Sequence, residues 1–229
     1  MMELRRDEGM AVVIVLLALL LTSALGAALV LTTSSETIIA GNFLTSIEAL
    51  YAADGAGERA MAELSGVADW NAVLGGSVRS VFVDGPPSGS RTMPDGSTIE
   101  LGDVVNLANC GEVRSCTGAE MDAVTAERPW SANNPRWQLY AYGRLRDTAS
   151  AGAINSPDYV IVLVGDDPAE NDGNPLQDGA GVGNPGAGVM TVRAEAWGPR
   201  GARRVVELTI GRRPGPRLLS WREIRHAVS

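Results

Sequence analysis

The pattern of apolar and polar positions changes twice along this chain and divides it into three parts. From Met10 to Leu31 the residues are MAVVIVLLALLLTSALGAALVL, 22 positions without a charge, and the charge-free run continues to Ser35. No polar stripe interrupts the run, so it reads as a helix that is apolar all round. About 20 such residues suffice to cross the hydrocarbon core of a bilayer. From Thr32 to Leu64 the apolar residues Ile39, Phe43, Ile47, Leu50, Ala53, Ala60, Met61 and Leu64 recur at steps of roughly three and four. That spacing marks one face of an amphipathic helix. Glu36, Asn42, Ser46, Glu48, Glu58 and Arg59 fall mostly elsewhere around it. Together the two segments predict one helix of about 55 residues, roughly 80 Å long. Gly41, Gly55 and Gly57 each weaken it by about 1 kcal/mol relative to alanine, and it can bend there.

After Ser65 the segments become short. Val78–Val83 (VRSVFV) alternates and predicts a strand. GPPSGSRTMPDGS (85–97) reads as a loop with PDG as a turn, and Thr98–Leu101 as a short strand. Residues 102–136 look irregular, apart from a short helix from about Gly118 that stops before Pro129. RPWSANNPRWQLYAYG (128–143), which includes Trp130, predicts a turn feeding a strand. Its alternation places Trp137, Leu139 and Ala141 on one face and Tyr140 and Tyr142 on the other. DYVIVLV (158–164) is the most apolar strand and is expected inside the sheet. Val189–Ala196 and Arg203–Ile210, joined through WGPRGA, predict a hairpin. Arg217–Ile224 adds a further strand and leaves a basic tail in which His226 stands alone. The expected fold class is α+β: a long amino-terminal helix packed on an antiparallel β-sheet. The outer part, 65–229, holds roughly 160 residues, enough for one globular domain with its own core.

Charge changes this picture in three places. The formal net charge of −8 argues against a general nucleic-acid binder. Arg5 and Arg6 lie just before the apolar run, which holds that end in the cytoplasm and puts everything after about Ser35 outside. A plain signal-anchor fits this pattern. A cleaved secretory signal fits less well, because its apolar core runs about 7–15 residues and hands over to a mature start. The segment 166–188 (DDPAENDGNPLQDGAGVGNPGAG) has five acidic residues, no base, six glycines and three prolines, and reads as a loop. Asp166, Asp167, Asp172 and Asp178 are oxygen ligands of the kind calcium takes, but their spacing does not fit the calcium loop D-x-[DN]-x-[DN]-G-x₅-E.

The two cysteines, Cys110 and Cys116, lie in NCGEVRSCTG. In an exported domain such a pair closes a small loop as a disulfide. Two separate thiols are the other reading. Half of a metal site is weaker, because the chain has no third cysteine and one histidine. No catalytic constellation is present: there is no G-x-S-x-G, no H-E-x-x-H and no G-x-x-x-x-G-K. Paired carboxylates occur only in the acidic loop. A non-enzymatic role without cofactor or metal is the expectation.

A short charged leader, MMELRRDEG (1–9), then an uninterrupted apolar helix, resembles a type IV prepilin signal. Further on, AGNF (40–43) followed by ALYAADGAGERAMAEL (49–64) is similar to the amino-terminal region of PilX-type minor pilins. The resemblance covers about residues 5–64. It implies cleavage by a prepilin peptidase between Gly9 and Met10, with methylation of the new amino terminus. It implies a leader at 1–9, an assembly helix at 10–64 and an extracytoplasmic pilin domain at 65–229. Major pilins carry a glutamate as the fifth mature residue, and that position here is Ile14. The departure points to the minor pilins and pseudopilins that lack it, which are often placed at the filament tip. The implied partners are other major and minor pilins, a PilY-type tip protein, the inner-membrane assembly platform and, before assembly, the lipid bilayer. The implied location is the inner membrane and then a cell-surface pilus, where such subunits prime or cap filament growth. A K-type pseudopilin of type II secretion is the alternative family, although that family usually carries an extra helical domain. A bitopic membrane protein with a ligand-binding outer domain is the alternative outside it.

Overall fold

A computed structural model describes residues 4–123, 133–147, 154–170, 172–179, 183, 186–212 and 215–224 of the 229, with side chains described from Gly9 onward. The chain divides into two compact units, Met1–Leu44 and Thr45–Ser229. One helix, α1 (Leu4–Ser65, 62 residues), runs through the first unit and into the second. It begins inside the leader, six residues before Met10, because LRRDE has good helix formers and nothing that stops a helix. Gly41, Gly55 and Gly57 lie within it without ending it. His226, Trp130 and the end of the helix predicted before Pro129 lie outside the described residues.

In the second unit five antiparallel strands follow one another in chain order: β3 (Gln138–Arg144), β4 (Tyr159–Asp166), β5 (Val189–Trp197), β6 (Arg203–Gly211) and β7 (Arg217–Ile224). A two-stranded hairpin, β1 (Ser90–Thr92) with β2 (Thr98–Glu100), precedes them. The three short helices are α2 (Trp70–Leu74), α3 (Leu101–Cys110) and α4 (Gly118–Ala123). The long apolar helix packed on an antiparallel sheet is the α+β architecture expected from the sequence.

Each face of the sheet has its own core, which explains why β4 reads as a continuous apolar run. Val160, Val162 and Val164 of β4 point to one face, with Met190, Val192, Ala194 and Ala196 of β5 and Val206, Leu208 and Ile210 of β6. The helix covers this face with Ala49, Ala52, Ala53, Ala56, Ala60 and Leu64. The buried stripe is therefore mostly alanine. Leu50 and Met61 flank it, while Ile39 and Phe43, expected on the packed face, are 67% and 68% exposed. Small side chains win because they let the helix axis come close to the sheet. Gly57 shows the same need: a Cβ there would overlap the Leu208 side chain. On the opposite face Tyr159, Ile161 and Leu163 of β4 join Trp137, Leu139 and Tyr142, and the β1–β2 hairpin and α3 cover them through Met93, Leu101, Val104 and Ala108.

Several sequence expectations are corrected. Val78–Val83 forms no ladder strand. It runs beside β3, where Ser80 N–H donates to Tyr140 O (3.0 Å) and Tyr142 N–H donates to Phe82 O (3.2 Å), with a single bridge at Val83. Its inward residues are Val78, Ser80 and Phe82, and Val81 is 88% exposed. Phe82 lies over Gly143, where a side chain would collide with the ring. The 85–97 loop contains β1; the PDG turn is there, closed by Met93 N–H donating to Ser97 O (2.8 Å). The first part of the stretch expected to be irregular, up to Cys110, is helix α3, whose Leu101, Val104 and Ala108 sit on one face, while 111–117 stays irregular. Gly111, in the left-handed region (φ 77), ends that helix. In β3 a bulge between Leu139 and Ala141 shifts the phase, so Trp137, Leu139 and Tyr142 share one core and Tyr140 and Ala141 the other.

Candidate functional site

The first unit, taken by itself, presents an apolar helical surface that no other described residue of that unit covers. Every large apolar residue from Met10 to Leu31 is more than half exposed, from 55% at Val13 to 70% at Leu31. The helix is the one segment among the described residues that is long and apolar enough to cross a membrane. Its few hydroxyls do not interrupt the apolar surface. Thr22, Thr32, Thr33, Ser35 and Thr37 donate back to carbonyls four residues earlier, at 2.9–3.1 Å. That satisfies their polar hydrogens within the helix, as lipid or a dry helix interface requires.

The junction between Gly9 and Met10 lies within this helix, at its charged end. A Cβ at Gly9 would meet nothing, Met10 is 63% exposed, and Ile14 is 62% exposed. Among the residues whose side chains are described, none crowds the Gly9–Met10 bond. Cleavage by a protease would still need the helix to unwind there, since an extended strand is the form that fits a protease cleft. Glycine lowers that cost by about 1 kcal/mol relative to alanine.

In the second unit Cys110 and Cys116 are joined as a disulfide, with Cα atoms 6.0 Å apart. It closes a small loop after α3, and Arg114 bridges to Glu120 beside it. Asn109, buried one residue earlier, fixes α3 to the sheet. Its Nδ2 donates to Trp137 O (3.1 Å), and its Oδ1 accepts from Trp137 N–H (2.8 Å). No sequence signal marked Asn109, because an asparagine is read as a loop former until the strand beside it is known.

The acidic loop uses its carboxylates on its own backbone. Glu170 Oε2 accepts from Gly179 N–H (2.8 Å), Asp172 from Asn174 N–H (2.9 Å) and Asp178 from Gly188 N–H (2.5 Å). Asp178 N–H donates in turn to Asn71 of α2 (2.7 Å), tying the loop to the helix-covered side. Among the described residues no group of three such side chains is arranged to hold a metal ion. Asp166, at the end of β4, is 3% exposed, and its Oδ1 has no hydrogen-bond partner. Burial, followed by the nearby Glu170 charge, pushes its carboxyl up to about 8.

Sequence patterning also gave no sign of the ion network on β5 and β6. Arg193 donates to Glu195 (2.8 Å) and Glu207 (3.1 Å), Arg203 to Glu195 (2.6 Å), and Arg222 to Glu207 (2.5 Å). Burial pushes the Glu195 carboxyl up, but Arg193 and Arg203 together outweigh it and hold it below the usual carboxylate range. The network lies on the second face of β5 and β6, beside the apolar side chains of Val205 and Trp197. It is structural, because every charge in it faces an opposite charge.

No protein-family model matches this chain, and no curated protein or solved structure does either. Functional assignment therefore rests on the helix, the junction and the outer domain themselves.

Proposed function

We propose that this protein is a minor pilin of the PilX type. It enters the inner membrane as a prepilin with its Arg5–Arg6 end in the cytoplasm, is cut between Gly9 and Met10, and is built into a type IV pilus through its apolar helix. The observation that carries this reading is the bare apolar surface from Met10 to Leu31 on a helix whose later turns, from Ala49 to Leu64, pack into an α+β domain. Such a helix gains little in apolar burial by leaving lipid for a bundle of like helices, because lipid tails are as apolar as leucine; side-chain packing then decides the assembly. In water it is untenable, since each large side chain left exposed forgoes about 1.5–3 kcal/mol. Ile14 in place of the usual glutamate supports a tip or priming position over the bulk filament. The partners on this reading are other pilins, a PilY-type tip protein, the prepilin peptidase and the assembly platform.

Mass spectrometry of the protein from cells with an active prepilin peptidase tests the reading. The expected product begins at a methylated Met10, and Gly9→Leu accumulates uncut. Recovery of the chain with residues 1–9 attached and no dependence on the peptidase would refute processing and favour a permanently membrane-anchored protein.

A further inference from the structure

The geometry points to a binding pocket for a small monocarboxylate, on the outer domain between the end of β3, the start of β4 and the β1–β2 hairpin. The cavity has a volume of about 290 Å³. That is close to the lower end of the range for small-molecule sites. Its floor is apolar and rigid. Met93 and Tyr159 are 3% and 1% exposed and belong to the second core, and Pro94 and Pro157 add two fixed rings at the wall. Tyr159 is held in place by its hydroxyl, which donates to Asp84 (3.3 Å).

Two cations stand over this floor, Arg144 and Arg146. Arg144 closes β3, and its side chain has no hydrogen-bond or ion-pair partner among the described residues. Among the described residues Arg146 reaches Asp147, at 3.9 Å, with both side chains more than half exposed. The short turn that carries them is pinned to β4 by Leu145 N–H donating to Asp158 O (2.9 Å). In a chain of net charge −8, a guanidinium left without a carboxylate beside an apolar hollow is an open anion position. Guanidinium matches carboxylate geometry through two parallel N–H donors.

Charge count and shape narrow the ligand. Arg144 and Arg146 with Asp147 sum to one positive charge, so one negative charge is balanced and a second is not. The apolar surface left open is the wall at Pro94 and Pro157, and a ring or compact hydrocarbon body fits against it. A single carboxylate on a flat body meets both demands; free phosphate lacks the apolar body, and a polyphosphate or nucleic acid carries more negative charge than the site balances. This inference stands apart from the assembly reading, because the pocket lies wholly in the second unit and uses none of the apolar helix.

Benzoate is a suitable probe, with benzyl alcohol as its uncharged counterpart and inorganic phosphate as the bare anion. Each is titrated into the full chain in detergent micelles, with binding followed by ligand-observed NMR against protein-free micelles as background. Benzoate is expected to bind with a Kd on the order of 1 mM, as suits so small a ligand. Benzyl alcohol and phosphate should bind at least about tenfold more weakly, and Arg144→Gln should lower benzoate affinity by about tenfold, the worth of one charge-assisted pair. Arg217→Gln, on β7 away from the pocket, should leave it unchanged. The Arg144 side chain holds no hydrogen bond or ion pair among the described residues, so the variant's circular dichroism should match the parent. Equal benzoate binding by Arg144→Gln and the parent, phosphate binding as tight as benzoate, or no saturable binding would each overturn the proposal.

Discussion

Gly55 and Gly57 lie two residues apart in α1, yet alanine should stabilise the protein at 55 and not at 57. Both substitutions add the same methyl group to the same helix and gain about 1 kcal/mol of helix propensity. At Gly55 the new Cβ meets nothing within 4 Å, so the full gain is expected. At Gly57 the Cβ overlaps Leu208 Cδ1 and comes within 3.7 Å of the Ala194 Cβ. Leu208 is 1% exposed inside the helix-side core and has little room to turn away. Forcing a methyl into a packed core costs about 1–3 kcal/mol, so Gly57→Ala should come out neutral to destabilising by about 2 kcal/mol. The two variants should therefore differ by about 1–3 kcal/mol, or roughly 2–4 °C in Tm per kcal/mol for a domain of this size. Urea unfolding of the micelle-held chain, followed by the fluorescence of buried Trp70 and Trp137, gives the comparison. Leu208→Ala alone should cost about 2–5 kcal/mol through the cavity it leaves. Combined with Gly57→Ala it should cost less than the sum by about 1 kcal/mol, because each change makes room for the other. If Gly57→Ala stabilises as much as Gly55→Ala, or adds to Leu208→Ala without coupling, the close approach of helix to sheet is not what selects glycine at 57.

Two further outcomes follow from the charges and the crosslink. Asp166 is held protonated in the fold to about pH 8, against 3.8 when unfolded. The native state thus holds a proton that the unfolded chain releases, and this group's contribution to stability falls as pH rises from about 4 to about 8. Asp166→Asn should remove that fall, making the variant more stable than the parent by a few kcal/mol at about pH 8 and nearly equal to it at about pH 4. Urea midpoints for both chains measured across this range test it, and a parallel pH profile would count against a buried proton at this site. Cys110→Ser with Cys116→Ser opens a loop with a sequence separation of 6. That is worth about 2 kcal/mol of unfolded-chain entropy, so thiol reductant should lower the parent's urea midpoint and leave the variant's unchanged.

Sequence alone determined the elements whose residues face a single kind of neighbour. The run from Met10 to Leu31 is apolar on every side, so its helix and its fitness to cross a membrane follow from composition. The strand Arg217–Ile224 and the cores of β4, β5 and β6 were legible because alternation or a continuous apolar run fixes their period. Cys110 and Cys116 were legible as a pair because five intervening residues bring two thiols within reach once the chain turns at Gly111.

Tertiary structure alone decided everything that depends on which neighbour lies across a gap. The alternation of β3 failed at the bulge after Leu139, since an extra residue is set by the ladder with β4 and leaves no mark on hydrophobicity. The helix stripe fell on Ala49, Ala52, Ala53, Ala56 and Ala60 because a close approach favours small residues, whereas periodicity scores large ones. Helix α3 was hidden by Gly102, Asn106 and Asn109, which favour loops until Trp137 supplies the partner for Asn109. The Arg193–Glu195–Glu207 network and the hollow beneath Arg144 bring together residues from separate strands. Local pattern fixes how a segment is wound. Only the folded sheet decides which charges meet, because that depends on distances in space between residues far apart along the chain.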